Sequence, residues 1–436
     1  LVMTSANLTD EPIVYRDEEA RARLGPLADL LLLHDRPIHV RCDDSVATVA
    51  AGGPYLLRRS RGHTPLPIAL PFAAPPLLAT GGEMKNVFCL TRDRHAYLGH
   101  HIGEMGHLET LRAFAAGVEH LGRLFRIEPA LVVHDLHPDY QTTRWAHEHA
   151  SAANLPTLAV QHHHAHLASC LAEHGRPLDT RAIGVTFDGT GYGPDGVIWG
   201  GEFLVGGYAG YERALHLRPC PLPGGDAAAR HPWRVALAWL RELDQPWSAD
   251  LPPVRAADAE AREVLAAQLD QGINTPRTTS MGRLFDAAAA LAGLTARVRY
   301  EAQAACELEA AADHADHGAY PFAIAGQEVD PRPALASLVA DVRSGVPLPV
   351  IAARFHDGVT AMVLAACEHL RREAGLDTVA LSGGVWQNVL LLERTVASLA
   401  GAGFTVLVHR RVPASDGGLA LGQAAVAAAR HATDRS

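Results

Sequence analysis

The chain has 436 residues, of which 48% are hydrophobic and 20% charged, with a formal net charge of −10. That length suits two or three domains with a sizeable core, and the acidic balance argues against a surface built mainly for nucleic acid. No continuous apolar run approaches the ~18 residues of a membrane span, and the six cysteines (Cys42, Cys89, Cys170, Cys220, Cys306, Cys367) contain no C-x-x-C pair; they read as reduced, mostly buried thiols and predict a cytoplasmic protein.

Leu1-Val2-Met3 enters as an apolar, strand-like run with no initiator methionine and no targeting pattern. This reads as the middle of a domain, so the chain is expected to be a piece of a longer protein. Ser5 and Asn7 follow in a small polar loop, offering a hydroxyl and an amide or simply an ordinary turn. Helical periodicity covers residues 17–32, and 53–60 (GPYLLRRS) reads as a last strand before Arg58, Arg59 and Arg61. Those arginines suit a phosphate or carboxylate, or a solvated sheet edge. Residues 63–76, HTPLPIALPFAAPP, hold five prolines. Such density predicts a semi-extended linker and a domain boundary. The expected division is a first domain over 1–63, a linker over 64–76, one lobe over 77–180 and a second over 181–436.

Beyond the linker, strands alternate with helices. Hairpin strands over 77–98 enclose the glycine loop ATGGEMKN (79–86). A helix at 108–124, a buried strand at 130–134 and a helix at 141–153 precede the run LAVQHHHAHLA. A strand at 182–187 then meets the glycine turn DGTGYGPDG (188–196) and a return strand at 197–204. A helical insertion is expected over 230–372. The chain closes with a strand at 378–381, the loop Ser382-Gly383-Gly384, a helix at 386–399, a strand at 404–408, the loop 413–418 and a helix at 419–430. This is an α/β plan in two similar lobes.

If a helix begins at the histidines, His162 and His166 share one face at i, i+4 spacing and can bind one ion, while His163 and His164 turn elsewhere. Asp416, in PASDGG, and Asp188, at a strand end, could add carboxylates; helix capping and an Asx turn are the bland readings. Two imidazoles with carboxylates and open positions suit iron, zinc or manganese. The three glycine turns can be hairpin and packing devices, or loops whose amides cradle phosphate, with a helix N-terminus near Gly384 adding positive dipole. No P-loop and no G-x-G-x-x-G occurs.

Taken together, these motifs resemble a known family. LVMTSANLTDEP with the exit LLRRSRG is similar to the C-terminal half of a YrdC-type domain. VQHHHAHLAS, FDGTGYGPDG, LSGGVWQN and SDGGLALGQAA are similar to the TsaD-type carbamoyl-transfer domain, which has the actin/Hsp70-like (ASKHA) fold. That order of domains resembles the hydrogenase-maturation carbamoyltransferases of the HypF family. The resemblance implies formation of carbamoyl-adenylate from carbamoyl phosphate and ATP, and transfer of the carbamoyl group to the C-terminal cysteine thiol of a HypE-like acceptor. It implies His162, His166, Asp416 and Asp188 as ligands of one divalent ion (iron or zinc, with Mg possible beside ATP/AMP). It also implies Gly189, Thr190, Gly191, Ser382, Gly383, Gly384, Asn388 and Gly417 at the nucleotide, and Ser5, Asn7, Arg59 and Arg61 as remnants of the YrdC site. The chain departs from the family at His100–Glu104 (HHIGE) and at Ala302, where glycine is usual. The family's first domains and the lysine-bearing YrdC half are not in this sequence, so the chain is not expected to make carbamoyl-adenylate unaided. An O-carbamoyltransferase and a non-catalytic nucleotide-binding scaffold are the alternative readings; no membrane is implied and nucleic acid is disfavoured.

Overall fold

A computed structural model describes residues 5–8, 11–315 and 318–433; the strand expected at residues 1–3 lies outside them. The chain divides into two compact units, one of Leu1–Val49, Gly53–Thr180 and His409–Ser436, the other of Ala50–Gly52 and Arg181–Val408.

In the first unit the sheet order is Cys89–Leu98, Ile68–Ala79, Val132–Asp135, Thr157–Val160, the first pair antiparallel and the others parallel. The proline-rich stretch is therefore not a linker: Ile68–Ala79 is a twelve-residue strand. Its register against Cys89–Leu98 slips between Ala69 and Ala74 and again between Ala74 and Leu77. Pro71, Pro75 and Pro76 sit at or beside these irregularities, where a missing N–H breaks no regular ladder. On the other side only Leu78 and Ala79 pair with Val132–Asp135. The helix expected over 17–32 ends at Leu24, because Gly25 and Pro26 follow it. Phe88, Phe114, Val118, Ile127 and Val132 form part of the core under this sheet.

The closing helix, Leu419–Thr433, belongs to this first unit and not to the second lobe as expected. It lies against the strand Ile68–Ala79 and the histidine helix, His162–Glu173. Small residues make that approach feasible. A Cβ at Gly422 would stand 1.8 Å from the Ala165 carbonyl oxygen, inside any permitted contact.

The second unit holds a mixed sheet in the order Ala323–Ala325, Glu328–Asp330, Tyr211–Leu217, Ile198–Gly206, Ala182–Tyr192, Thr378–Ser382, Thr405–Val408. The expected helical insertion thus contributes two edge strands, and Arg277–Thr278 pairs with Cys220–Pro221. The strand from Ala182 runs on to Tyr192, so residues 188–190 form an irregularity inside it and the turn lies beyond. By length and composition the helix Leu348–Ala374 could cross a membrane, although no uninterrupted apolar run was expected to. Its Ile351, Phe355, Val359 and Val363 are buried in this unit's core, against the helices Arg332–Arg343 and Val389–Gly401.

Candidate metal centre and nucleotide loops

The histidine helix starts where its sequence says it should. Gln161 has extended backbone geometry, and its Oε1 accepts the His164 N–H at 2.9 Å, a side-chain N-cap. From His162 onward every residue to Glu173 is buried, so the imidazoles meet protein and not solvent.

Three donors of the first unit converge. Asp416 Oδ1 stands 3.5 Å from His162 Nε2 and 3.7 Å from His166 Nε2. A tetrahedral ion bonded at ~2.1 Å keeps its ligands about 3.4 Å apart, so this spacing fits an ion of zinc or ferrous type. The donor chemistry fits as well, with two neutral imidazole nitrogens and one carboxylate. His162 Nδ1 lies 2.8 Å from Asp135 Oδ2, and both side chains are fully buried. An Nδ1–H donated to that carboxylate leaves Nε2 its lone pair, the carboxylate–histidine arrangement that orients metal ligands. Asp135 Oδ1 in turn accepts the His137 N–H at 2.9 Å.

Asp135 was missed in the sequence. Its signal was a carboxylate at the carboxyl end of the buried strand Val132–Asp135, which runs parallel to Thr157–Val160 with Asp135 opposite Val160, the end of a sheet where ligands gather.

The loop that carries Asp416 is tied down around it. Ser169 Oγ donates to the Gly418 carbonyl at 2.8 Å. A Cβ at Gly82 would stand 3.1 Å from Asp416 Oδ2, and one at Gly417 3.0 Å from Pro413. The glycine loop 79–86 is equally constrained. Asn86 Nδ2 donates to the Thr80 and Gly82 carbonyls at 2.8 and 2.7 Å, and buried Gln423 both accepts from Gly81 N–H (2.9 Å) and donates to Gly81 O (3.2 Å). The Gly81 amide is therefore committed within the protein, which is the packing role among the two readings open for this loop.

In the second unit Asp188 is buried at the strand irregularity, and its Oδ1 accepts the Gly189 N–H at 2.7 Å. Ser280 Oγ donates towards the Asp188 and Gly189 carbonyls, at 3.0 and 2.8 Å, while capping the helix Met281–Leu291. A Cβ at Gly282 would come within 3.1 Å of Gly189 Cα. Ser280 and Gly282 hold the DGTG segment; the S-x-G opening of that helix is their mark in the sequence, inside the stretch expected to be a helical insertion.

Gly383 has φ +108°, and a Cβ there would meet the Phe187 carbonyl oxygen at 2.2 Å, so only glycine fits. Ser382 ends its strand, buried, and Gly384 opens a 3₁₀ turn to Gln387. The helix proper begins later than expected, at Val389. Asn388 is its N-cap, accepting the Leu391 N–H at 2.8 Å, and Glu309 Oε1 accepts from Val389 and Leu390. The helix end at Val389 is thus capped by the chain's own side chains, and the α-helix dipole begins there and not near Gly384. The Asn388 amide is oriented by His356, whose Nε2 lies 2.9 Å from Nδ2 while Nδ1 donates to Ala352 O.

Of the expected YrdC remnants, Ser5 and Asn7 bond to each other and Asn7 to the Leu8 and Glu11 carbonyls, which is a turn. Arg59 is buried and donates to His63 O, Thr64 Oγ1 and Leu66 O; it builds the exit of its own strand and is not set out as an anion ligand. Arg61 is exposed, donating to Cys42 O and pairing with Asp44.

Residues 184–423 match the family described as carbamoyltransferase, Kae1-like domain, second subdomain; 72–173 match the HypF Kae1-like domain, and 1–60 the family described as telomere recombination, of Sua5/YciO/YrdC type. The carbamoyltransferase HypF2 of Cupriavidus necator is 41% identical over 99% of this chain and 56% of its own length. A shorter carbamoyltransferase HypF homolog of the same organism is 38% identical over 81% of this chain and 91% of its own. The crystal structure of full-length HypF in the phosphate- and nucleotide-bound form superposes with a TM-score of 0.92, at 38% identity, over 97% of this chain and 66% of that one. The chain spans little more than half the length of the full-length relatives it matches. These matches agree with the α/β fold expected from the motifs, a YrdC-type segment followed by a Kae1-like domain. The chain belongs to the HypF carbamoyltransferase family.

Proposed function

We propose that this chain carries the carbamoyl-transfer step of a HypF-type enzyme, moving a carbamoyl group from carbamoyl-adenylate to the C-terminal cysteine of a HypE-like acceptor. The observation that supports it most is the convergence of His162 Nε2, His166 Nε2 and Asp416, with Asp135 fixing the first imidazole. These three residues would hold a divalent ion, and such an ion, when bound, would supply Lewis acidity towards a carbonyl or phosphoryl oxygen. Asp135 keeps His162 in the tautomer with a free Nε2 lone pair. Backbone amides of glycine segments can receive phosphate oxygens, and residues 189–191 and 382–384 are given that role here, in line with the nucleotide bound in the HypF crystal structure.

In the transfer the acceptor thiolate attacks the carbamoyl carbon. The C–S bond forms, the bond from that carbon to the adenylate oxygen breaks, and AMP leaves with the electron pair; the thiol has already given its proton to solvent or a base. AMP is a good leaving group, so the chain's main tasks are to bind and orient.

The test supplies purified, metal-loaded protein with carbamoyl-adenylate and a peptide ending in the HypE-type cysteine. Mass spectrometry is expected to show one carbamoyl group gained by the peptide, lost on capping the cysteine and in the His162→Ala, His166→Ala double variant. Folded, metal-loaded protein that transfers nothing would overturn the proposal.

A further inference from the structure

His162, His166, Ser169 and Glu173 follow one another at intervals of four, three and four along the histidine helix, so all four lie on one face. The first two meet Asp416. The last two reach the chain on either side of it. Glu173 accepts the backbone N–H groups of Arg410 (3.1 Å), Arg411 (2.8 Å) and Val412 (3.1 Å), and its Oε1 lies 2.9 Å from His409 Nδ1. Ser169 Oγ donates to Gly418 O at 2.8 Å.

We propose that Glu173 and Ser169 are positioning residues, which clamp the segment 409–418 onto the histidine helix at both ends and so set Asp416 in register with His162 and His166. The inference rests on the metal site of the proposed function. A helix rises ~1.5 Å per residue, so Glu173 acts about 10 Å along the axis from His166, beyond any direct contact with the ion.

The chemistry of the clamp is specific. Three successive amides directed at one carboxylate need an acceptor with no N–H of its own. Between the anchored Val412 and Asp416 only Pro413, Ala414 and Ser415 intervene, with Ala414 and Ser415 buried, and Gly418 N–H returns to Ser415 O at 2.9 Å. With both ends fixed, this short segment has little freedom left. The nearby group of Cys170, Glu173 and His409 also has the spacing of a second metal site. The Glu173 oxygens are already occupied by backbone amides and His409. The group is a clamp.

The test compares the wild-type chain with Glu173→Gln, Ser169→Ala and Ser169→Thr. Zn(II) affinity is measured by competition with a chromophoric chelator, and amide hydrogen exchange is followed over 409–418. In Glu173→Gln an –NH2 replaces an acceptor oxygen, so affinity is expected to fall about 10-fold, the lower end of what loss of a group bonded directly to a ligand does, with faster exchange at 409–412. Ser169→Ala should weaken binding as well, and Ser169→Thr, which keeps the hydroxyl, should restore it. Should Glu173→Gln fail to fold, the two Ser169 variants decide. A wild-type chain that binds no zinc would overturn both this inference and the metal site. A wild-type site abolished by His162→Ala but untouched by Glu173→Gln and Ser169→Ala would overturn this inference alone.

Discussion

His162 shows how a single residue is made into a ligand. One ring nitrogen faces Asp416 and the other a fully buried carboxylate, Asp135. Replacing Asp135 with Asn keeps the shape but removes the charge that favours the required tautomer, and zinc affinity should fall 10- to 100-fold, whereas His162→Ala should abolish binding; chelator competition separates the two. Ala302 also explains itself at this scale. It sits where the family resemblance leads one to expect glycine, and its backbone is left-handed, φ +59° and ψ +14°. A left-handed alanine is strained by ~1–2 kcal/mol, part of which the entropy of glycine offsets. Ala302→Gly should therefore raise stability, by up to about 1 kcal/mol, read from the urea midpoint.

Two buried helices in contact organise the first unit, and their interface depends on small residues. His162–Glu173 presents two histidines, a serine and a glutamate on one side, while Leu419–Thr433 presents Gly422 against the Ala165 carbonyl. Gly422→Ala forces a methyl group into that carbonyl, and overpacking of this kind costs about 1–3 kcal/mol. A lowered urea midpoint is expected, together with weaker zinc binding, because both helices must part slightly. A variant of unchanged stability would mean that the helices are not in such close contact. The turn at Gly383 is the corresponding constraint in the second unit, where a β-carbon would run into Phe187 O.

For the molecule as a whole, buried titratable groups predict acid lability in two stages. Burial pushes His100 and His356 down to about 4 and His101 to about 3, each aided by neighbouring positive charge. The folded state holds them neutral while the unfolded chain takes up protons near 6.5, so their contribution is complete above pH 6.5 and declines as pH falls towards 4. Glu173 behaves in the opposite sense. Burial alone would raise its pKa, but His409 and the amide donors outweigh burial and hold the carboxyl below its usual 4.5. Its contribution is present above pH 4.5 and is lost only as pH falls further. Melting temperature against pH should show both declines, and Glu173→Gln should remove the second and spare the first.

The repeated strand–helix alternation, the i, i+4 histidines and the glycine at 383 were legible in the amino-acid sequence, because each depends on local periodicity or on a backbone conformation that one residue type permits. The motifs carried the family as well. Other features could be decided only by tertiary structure. The five prolines of 63–76 argue against a regular central strand, yet three of them lie in the strand Ile68–Ala79, which is irregular: its register slips, and only its last two residues pair on both sides. The closing helix follows the second lobe in sequence but packs in the first unit, since its partners, Ala165 and the strand Ile68–Ala79, lie hundreds of residues away. Asp135 was marked only by its place at the end of a buried strand and Glu173 by nothing, because the role of each is defined by which ring nitrogen or backbone amide it meets. Sequence patterns record local geometry and residue chemistry; the pairing of distant carboxylates, imidazoles and amides exists only once the chain has folded.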